Sequence, residues 1–329
     1  MSTIAVNAIT DANDGNTTTI NGVTPNSANV VGKNLIINGA MQIAQRGTSV
    51  ACSSSNSTYT LDRFLARPNS STNTTVAQVT DAPSGFEYSA KVTRDSGQTG
   101  TLTRFETAFE TKDIIRTRGQ RVTISFYAKA GSGFTPSALS VLLFEGNGTE
   151  RARGITSYDS ETTLINTPKT LTTSWQRFTH TTTAVIASDT TQLALQFLAA
   201  WSGTAPSNDE FYITGVQLEA GESATEFEHR PYGMELQLCQ RYYWRQYVSG
   251  ANVIYDRVYW NGAGNNALFN FPAPAGMRIN AATVTCSPTT NGTGVTFTYH
   301  PHGNIIVYRI SASGDNYLYA QDLSINAEL

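Results

Sequence analysis
Charge is scarce in this chain. Asp, Glu, Lys and Arg together supply only 14% of its 329 residues, against about a quarter in an ordinary globular domain. The net charge is −3 with histidine neutral, so no overall field draws the chain to nucleic acid or to an anionic membrane. No apolar run approaches the roughly 20 residues that a helix needs to cross a bilayer. Met1-Ser2-Thr3-Ile4 lacks the basic start and apolar stretch of a secretory signal. Cys52, Cys239 and Cys286 are odd in number and far apart. That excludes a disulfide framework and fits free thiols kept in a reducing cytosol. The Asn-x-Ser/Thr triplets, such as Asn56-Ser57-Thr58 and Asn147-Gly148-Thr149, follow from a composition rich in those residues.

Reactive constellations are as thin. His180, His229, His300 and His302 are the only histidines. His300-Pro301-His302 has no Cys or carboxylate at ligand spacing and reads as a hairpin tip, so no metal is expected. No Gly-x-Ser-x-Gly elbow occurs. Gly262–Asn266 and Gly146–Gly148 are turns without the Lys of a phosphate loop. Glu106 with Glu110, and Glu226 with Glu228, lie four and two apart and suit the paired carboxylates of a glycoside hydrolase. Arg104 and Arg230 stand close enough to neutralise them, and Asp62-Arg63 reads as a local ion pair.

What the chain does have is β patterning. Residues 1–33 form a polar leader with one alternating patch, Ile4, Val6 and Ala8. It is too polar to order itself and needs a partner to lie against. Residues 34–230 show period-two alternation punctuated by Gly, Pro, Asn and Asp. In 121–130, Val122, Ile124, Phe126 and Ala128 face one way, and Thr123, Ser125, Tyr127 and Lys129 the other. About eight such strands predict an all-β jelly-roll sandwich. The period changes to helical over 231–247, with Met234, Leu238 and Tyr242 on one side and Gly233 at the cap. Residues 248–329 return to strands and predict a small C-terminal β unit.

Aromatic surface is the remaining chemistry. Trp201 and Trp260 each close a strand where a loop begins, beside Asn, Asp or Arg. A flat ring in that setting covers the apolar face of a sugar while polar neighbours take its hydroxyls. The competing expectation is that each ring packs in the core.

Several phrases carry a resemblance. These are Asn34–Gly47 (NLIINGAMQIAQRG), Asp62-Arg63-Phe64, Val216–Gly221 (VQLEAG), Tyr232–Tyr243 (YGMELQLCQRYY), Phe271–Val284 and the closing Asn326–Leu329 (NAEL). Together they resemble a family of tailed-bacteriophage tail fibre and virion proteins, whose jelly roll is similar to a carbohydrate-binding module. The resemblance spans most of residues 34–329 and is specific as a combination. It implies a structural fibre protein of the virion tail, assembled in the host cytoplasm as a homotrimer. The arm would dock by strand addition through Ile4, Val6 and Ala8 onto another tail or connector protein. The sandwich or distal unit would contact a host glycan or receptor. It implies no catalytic motif, no nucleic acid, no membrane insertion and no cofactor, with a structural calcium ion the one open slot. Two alternatives stand beside it: a purely architectural adaptor, fibre base or head decoration, and a glycan hydrolase. On its own residues the opening phrase is scaffold: Leu35 and Ile37 point inward, Asn38-Gly39 reverses the chain, and Asp62-Arg63 ties the first hairpin to the final strand.

Overall fold
The structure is a computed structural model that describes residues 32–247 and, beyond them, 254–260, 266–272, 274, 277–278, 283–290, 293–300, 304–310 and 314–328. The leader and its Ile4, Val6 and Ala8 lie outside the described residues. The sandwich strands are Ser49–Cys52 (β1), Thr58–Tyr59 (β2), Leu65–Pro68 (β3), Thr74–Val79 (β4), Ser89–Arg94 (β5) and Leu102–Phe109 (β6). They continue with Val122–Ala130 (β7), Leu139–Asn147 (β8), Asp159–Lys169 (β9), Gln176–Thr181 (β10), Gln192–Ala200 (β11) and Glu210–Ala220 (β12). They form two six-stranded antiparallel sheets, in the orders β1-β4-β5-β12-β7-β10 and β2-β3-β6-β11-β8-β9.

The sheets pack because alternation gives each one oily face. Val122, Ile124, Phe126 and Ala128 of β7 are fully buried, in one cluster with Val141 and Leu143 of β8 and Leu195 and Phe197 of β11. Of the predicted outer set, Tyr127 and Lys129 stand half-exposed on the opposite face, whereas Thr123 and Ser125 are buried there as well. The sandwich has more strands than the alternation reveals. β8 is covered on part of its outer face as well, which blurs its period. β9 is a polar edge strand carrying Pro168, which such a position tolerates.

The helix predicted over 231–247 is shorter. It spans Tyr232–Gln240 (α1), preceded by Pro231 rather than a Gly233 cap. Its buried stripe is Glu235 and Cys239, while Met234 is exposed. Tyr243–Tyr247 forms a strand instead (β13), because bulky aromatics suit a pleated surface and a partner edge is at hand. That edge belongs to Gly314–Asn326 (β19), which also pairs with Ile254–Trp260 (β14) and Thr283–Thr290 (β16); the chain also forms Asn266–Pro272 (β15), Thr293–His300 (β17) and Asn304–Ile310 (β18). β15, β18 and β17 make a separate three-stranded sheet.

The opening phrase runs beside β12 without joining a sheet. Leu35 N–H donates to Leu218 O at 2.8 Å and Val216 N–H to Gly39 O at 2.9 Å. The inward residues are Leu35 and Ile36, with Ile37 only half-buried, because the segment is irregular rather than a strand. Asn34 Oδ1 accepts from Ile36 N–H (2.9 Å) and Leu218 N–H (3.2 Å). Asn38 takes a left-handed φ of 61° and bridges Ile43 and Asp62 through its amide. A side chain at Gly39 would collide with Val216 O, so only glycine fits there.

The phrases converge on one buried knot. Asp62 accepts from Gln45 N–H (2.7 Å) and Gln45 Nε2 (2.6 Å). Arg63 does not pair with Asp62. Its guanidinium donates to Glu328 and, at 2.5 Å, to Ala108 O, and lies 3.6 Å from the Tyr242 ring centre. Arg46 reaches Glu328 at 3.2 Å and covers the Tyr243 ring at 3.6 Å. Arg278 donates to Ala327 O at 2.9 Å and Glu328 O at 3.1 Å. Burial alone would depress the Arg63 guanidinium; Glu328, with the nearby tyrosines, reverses this and holds it above its ordinary value.

Candidate functional site
The outer face of the first sheet carries an aromatic and polar constellation. β-register sets Lys91 of β5, Tyr212 of β12 and Lys129 of β7 side by side. Trp175 precedes β10, whose Gln176 pairs with the inward Ala128, so its ring falls on the same outer face as Lys129. Trp175 and Tyr212 meet edge-to-face, with centroids 6.3 Å apart at 75°. Lys129 Nζ sits 4.6 Å from the Tyr212 centroid and 5.5 Å from that of Trp175.

Asp81 fixes the two ends of this group. It accepts from Lys129 Nζ at 2.5 Å and from Trp175 Nε1 at 3.1 Å. Slight burial opposes its ionisation, but those two hydrogen bonds prevail and hold its carboxyl below the usual range. Tyr212 donates to Glu210 Oε1 at 2.6 Å, and burial with this bond raises its phenol. Glu210 also accepts from Thr93 at 2.9 Å and faces Lys91 at 3.7 Å. A hollow of about 320 Å³ adjoins Tyr212 and Lys129, lined also by Gly131, Ser132, Thr173, Asn208 and Glu210. Its wall needs Gly131, since a side chain there would meet Glu210 and the Asn208 carbonyl.

The residues singled out in the sequence fall elsewhere. Trp201 is 3% exposed, and its Nε1 donates to Thr103 Oγ1 at 2.8 Å. Phe134 and Phe211 pack its ring and Arg94 lies 5.5 Å from it, so it is a core residue and offers no face to a sugar. Trp260 belongs to β14, and its side chain lies outside the described residues, as do those of His300 and His302. Glu106 is buried and accepts from Gln196 at 2.7 Å; Glu110 pairs with Arg241 at 3.1 Å and Lys112 at 3.0 Å. Four residues of extended chain set their backbones roughly 13 Å apart, and each carboxylate is already held, Glu106 by an amide and Glu110 by two cations. Glu226 and Glu228 lie in coil, not strand: Glu226 is exposed, whereas Glu228 is buried against Gly32 N–H (2.6 Å) and Asn34 N–H (2.7 Å). His180 and His229 are both lowered by burial, and the His229 ring packs on Phe86 and Phe227. No group of three metal-ligating side chains forms among the described residues, and no described helix is long and apolar enough to cross a membrane.

The thiols invite a direct measurement. Cys52 and Cys239 are free and buried. Burial, helped by Asp95, pushes Cys52 up to about 12, and burial pushes Cys239 well up. Peptide mapping after brief alkylation of the folded chain at pH 8 is expected to find both unlabelled; rapid labelling of either would contradict its burial.

No protein-family model matches the chain, and no curated protein matches it in sequence. Among solved structures it is similar to the enzymatically active domain of bacteriophage CBA120 tailspike protein 4, at 12% identity and a TM-score of 0.36, over 57% of this chain and 21% of that one. It is similar also to the CBM22-2 xylan-binding domain of Paenibacillus barcinonensis Xyn10C, at 16% identity and a TM-score of 0.32, over 47% of this chain and 91% of that one. TmCBM61, solved with β-1,4-galactotriose, gives 10% identity and a TM-score of 0.32, over 57% of this chain and 99% of that one. This chain thus spans about a fifth of the tailspike's length and most of each module.

The Trp175–Tyr212 face can hold a neutral polyol: ring surface meets C–H groups, while Asp81, Glu210, Lys91 and Lys129 offer acceptors and donors. Sequence reasoning passed over Trp175 because it starts a Thr-rich strand instead of closing an apolar one. The available signal was its position one residue outside an alternating run, where the inward set is Gln176 and Phe178.

Proposed function
We propose that this chain is a structural protein of a tailed-phage virion, whose sandwich binds a host surface glycan without cleaving it. The observation that carries the binding half is the half-exposed Trp175–Tyr212 pair, held by Asp81 and Lys129 at the edge of a hollow. The virion half rests on the sequence resemblance, whose motif residues meet in one knot. In this reading the chain works as a homotrimer in the tail, the arm docks through Ile4, Val6 and Ala8, and many weak sugar contacts add by avidity.

Trp175→Ala is expected to weaken binding of the full chain to host envelope oligosaccharide by about tenfold, with an unchanged melting temperature. Trp201→Ala should do the reverse and lower stability by about 3–5 kcal/mol, as core aromatic truncation does. Glycan titration and thermal melts of both variants check this. Unaltered glycan binding by Trp175→Ala would remove the proposed face. A wild-type chain that binds no envelope glycan but still incorporates into particles would favour the architectural reading, and shortened glycan chains after incubation would favour the hydrolase.

A further inference from the structure
The outer face of the second sheet holds a different arrangement. Register places Arg67 of β3 directly opposite Arg104 of β6. The row continues through Leu198 of β11, Ser140 of β8 and Pro168 of β9. The adjacent row is Leu65, Glu106, Gln196, Leu142 and Asn166. Five strands at normal spacing make the open row roughly 19 Å long.

Like charges directly opposite on a sheet face destabilise it. Here neither Arg67 nor Arg104 forms an ion pair among the described residues. A third guanidinium, Arg153, is close enough to act on Arg104, whose own charged form is disfavoured by partial burial and then by Arg67 and Arg153. Arg153 has its counter-ion: it pairs with Glu161 at 2.9 and 3.0 Å and lies over the Phe144 ring at 3.5 Å. Glu106 is the nearby carboxyl, but it is 1% exposed and turned to Gln196. Its Oε1 packs against Gly154 and accepts no hydrogen bond of ordinary geometry. The loop that carries Ala152, Gly154 and Tyr158 covers this end of the face. Arg67, Arg104, Leu198 and Ser140 remain half-exposed beyond it, and Leu142, packed against the cluster that includes Tyr158, is half-exposed at its edge. Glu106 offsets this repulsion only in part, and a cation pair without an ion-pair partner beside half-exposed leucines is the complement of an anion on an amphipathic ring.

We propose that this ledge is a second carbohydrate site, selective for acidic sugars. Arg67 and Arg104 hold the carboxylate of a hexuronate residue, a geometry for which guanidinium is suited. Leu198 and Leu142 receive the apolar face of the ring, and Ser140 and Asn166 meet its hydroxyls. The site lies on the other sheet from Trp175 and does not depend on that face.

Calorimetric titration of the full chain tests it with three probes: a hexuronate trisaccharide, the neutral hexose trisaccharide of the same linkage, and inorganic phosphate. The acidic trisaccharide is expected to bind about tenfold more tightly than the neutral one. Arg67→Gln and Arg104→Gln should each reduce that preference, and the double variant should abolish it, with no fall in melting temperature because a repulsion is relieved. Trp175→Ala weakens neutral binding at the other face, so in that variant the preference for the acidic trisaccharide should widen. Equal affinity for the acidic and neutral trisaccharides would overturn the proposal. So would a preference that survives in the double variant or vanishes in Trp175→Ala, or phosphate that competes at equal concentration and marks a simple anion site.

Discussion

Replacing Glu328 by alanine is expected to destabilise the folded chain by about 3–5 kcal/mol, the usual cost of leaving a buried partner charge uncompensated. Glu328 is the carboxylate of a knot whose cation cannot escape to water. The Arg63 side chain is 3% exposed and that of Glu328 2%. Arg63 would keep its bond to Ala108 O and its stacking on Tyr242, but neither supplies charge. Arg46 would lose the same partner. Glu328→Gln should cost less, since an amide oxygen still accepts a hydrogen bond, and the order Ala then Gln then wild type is part of the expectation. Urea unfolding of the three full-length proteins reads it. A loss below about 1 kcal/mol in the alanine variant, the range of an exposed ion pair, would show that the knot is not buried as described.

The second large effect lies at the opposite end of the sandwich. Arg94 and Asp209 are both fully buried and pair at 2.6 Å. Arg94 also donates at 3.0 Å to the carbonyls of Gly100, Gly203 and Ser202, and Asp209 accepts from Thr135 N–H at 2.9 Å. One guanidinium therefore anchors two separate loops, and one carboxylate anchors a third. Asp209→Ala should cost about 3–5 kcal/mol for the same reason. It should also loosen those loops, so amide exchange at Gly100, Ser202 and Gly203 should rise together. Replacing both partners by apolar residues of similar size should recover part of the loss, because no buried charge is then left alone. A double variant as unstable as Asp209→Ala would mean that the hydrogen bonds to backbone, and not the charge, set the cost.

Much of the frame was legible because the apolar half of each alternation is the buried core face, even where the polar half, as at Thr123 and Ser125, is covered too. β7 reads inward at Val122, Ile124, Phe126 and Ala128 and is buried there. β8 was hidden because Phe144, on its outer side, is covered as well. β13 was hidden because Tyr242-Tyr243-Trp244 continues a helical spacing until β19 offers a better bonded edge. The tie from Asp62-Arg63 to the final strand could be guessed from the motif, yet its partner, Glu328, is 265 residues from Arg63 and no local pattern points to it. The candidate sites were the least legible. Trp201 looked like a rim residue because a loop follows it, whereas Thr103 and two phenylalanines enclose it. Arg67 and Arg104 mean nothing until register sets them opposite one another.

The distance in sequence between Arg63 and Glu328 also orders events during synthesis. At about 5–20 residues per second, the 265 positions between them take roughly 13–53 seconds to emerge. For that interval Arg63 lacks the carboxylate that pairs with it in the folded chain, so the knot can close only once residue 328 has been made.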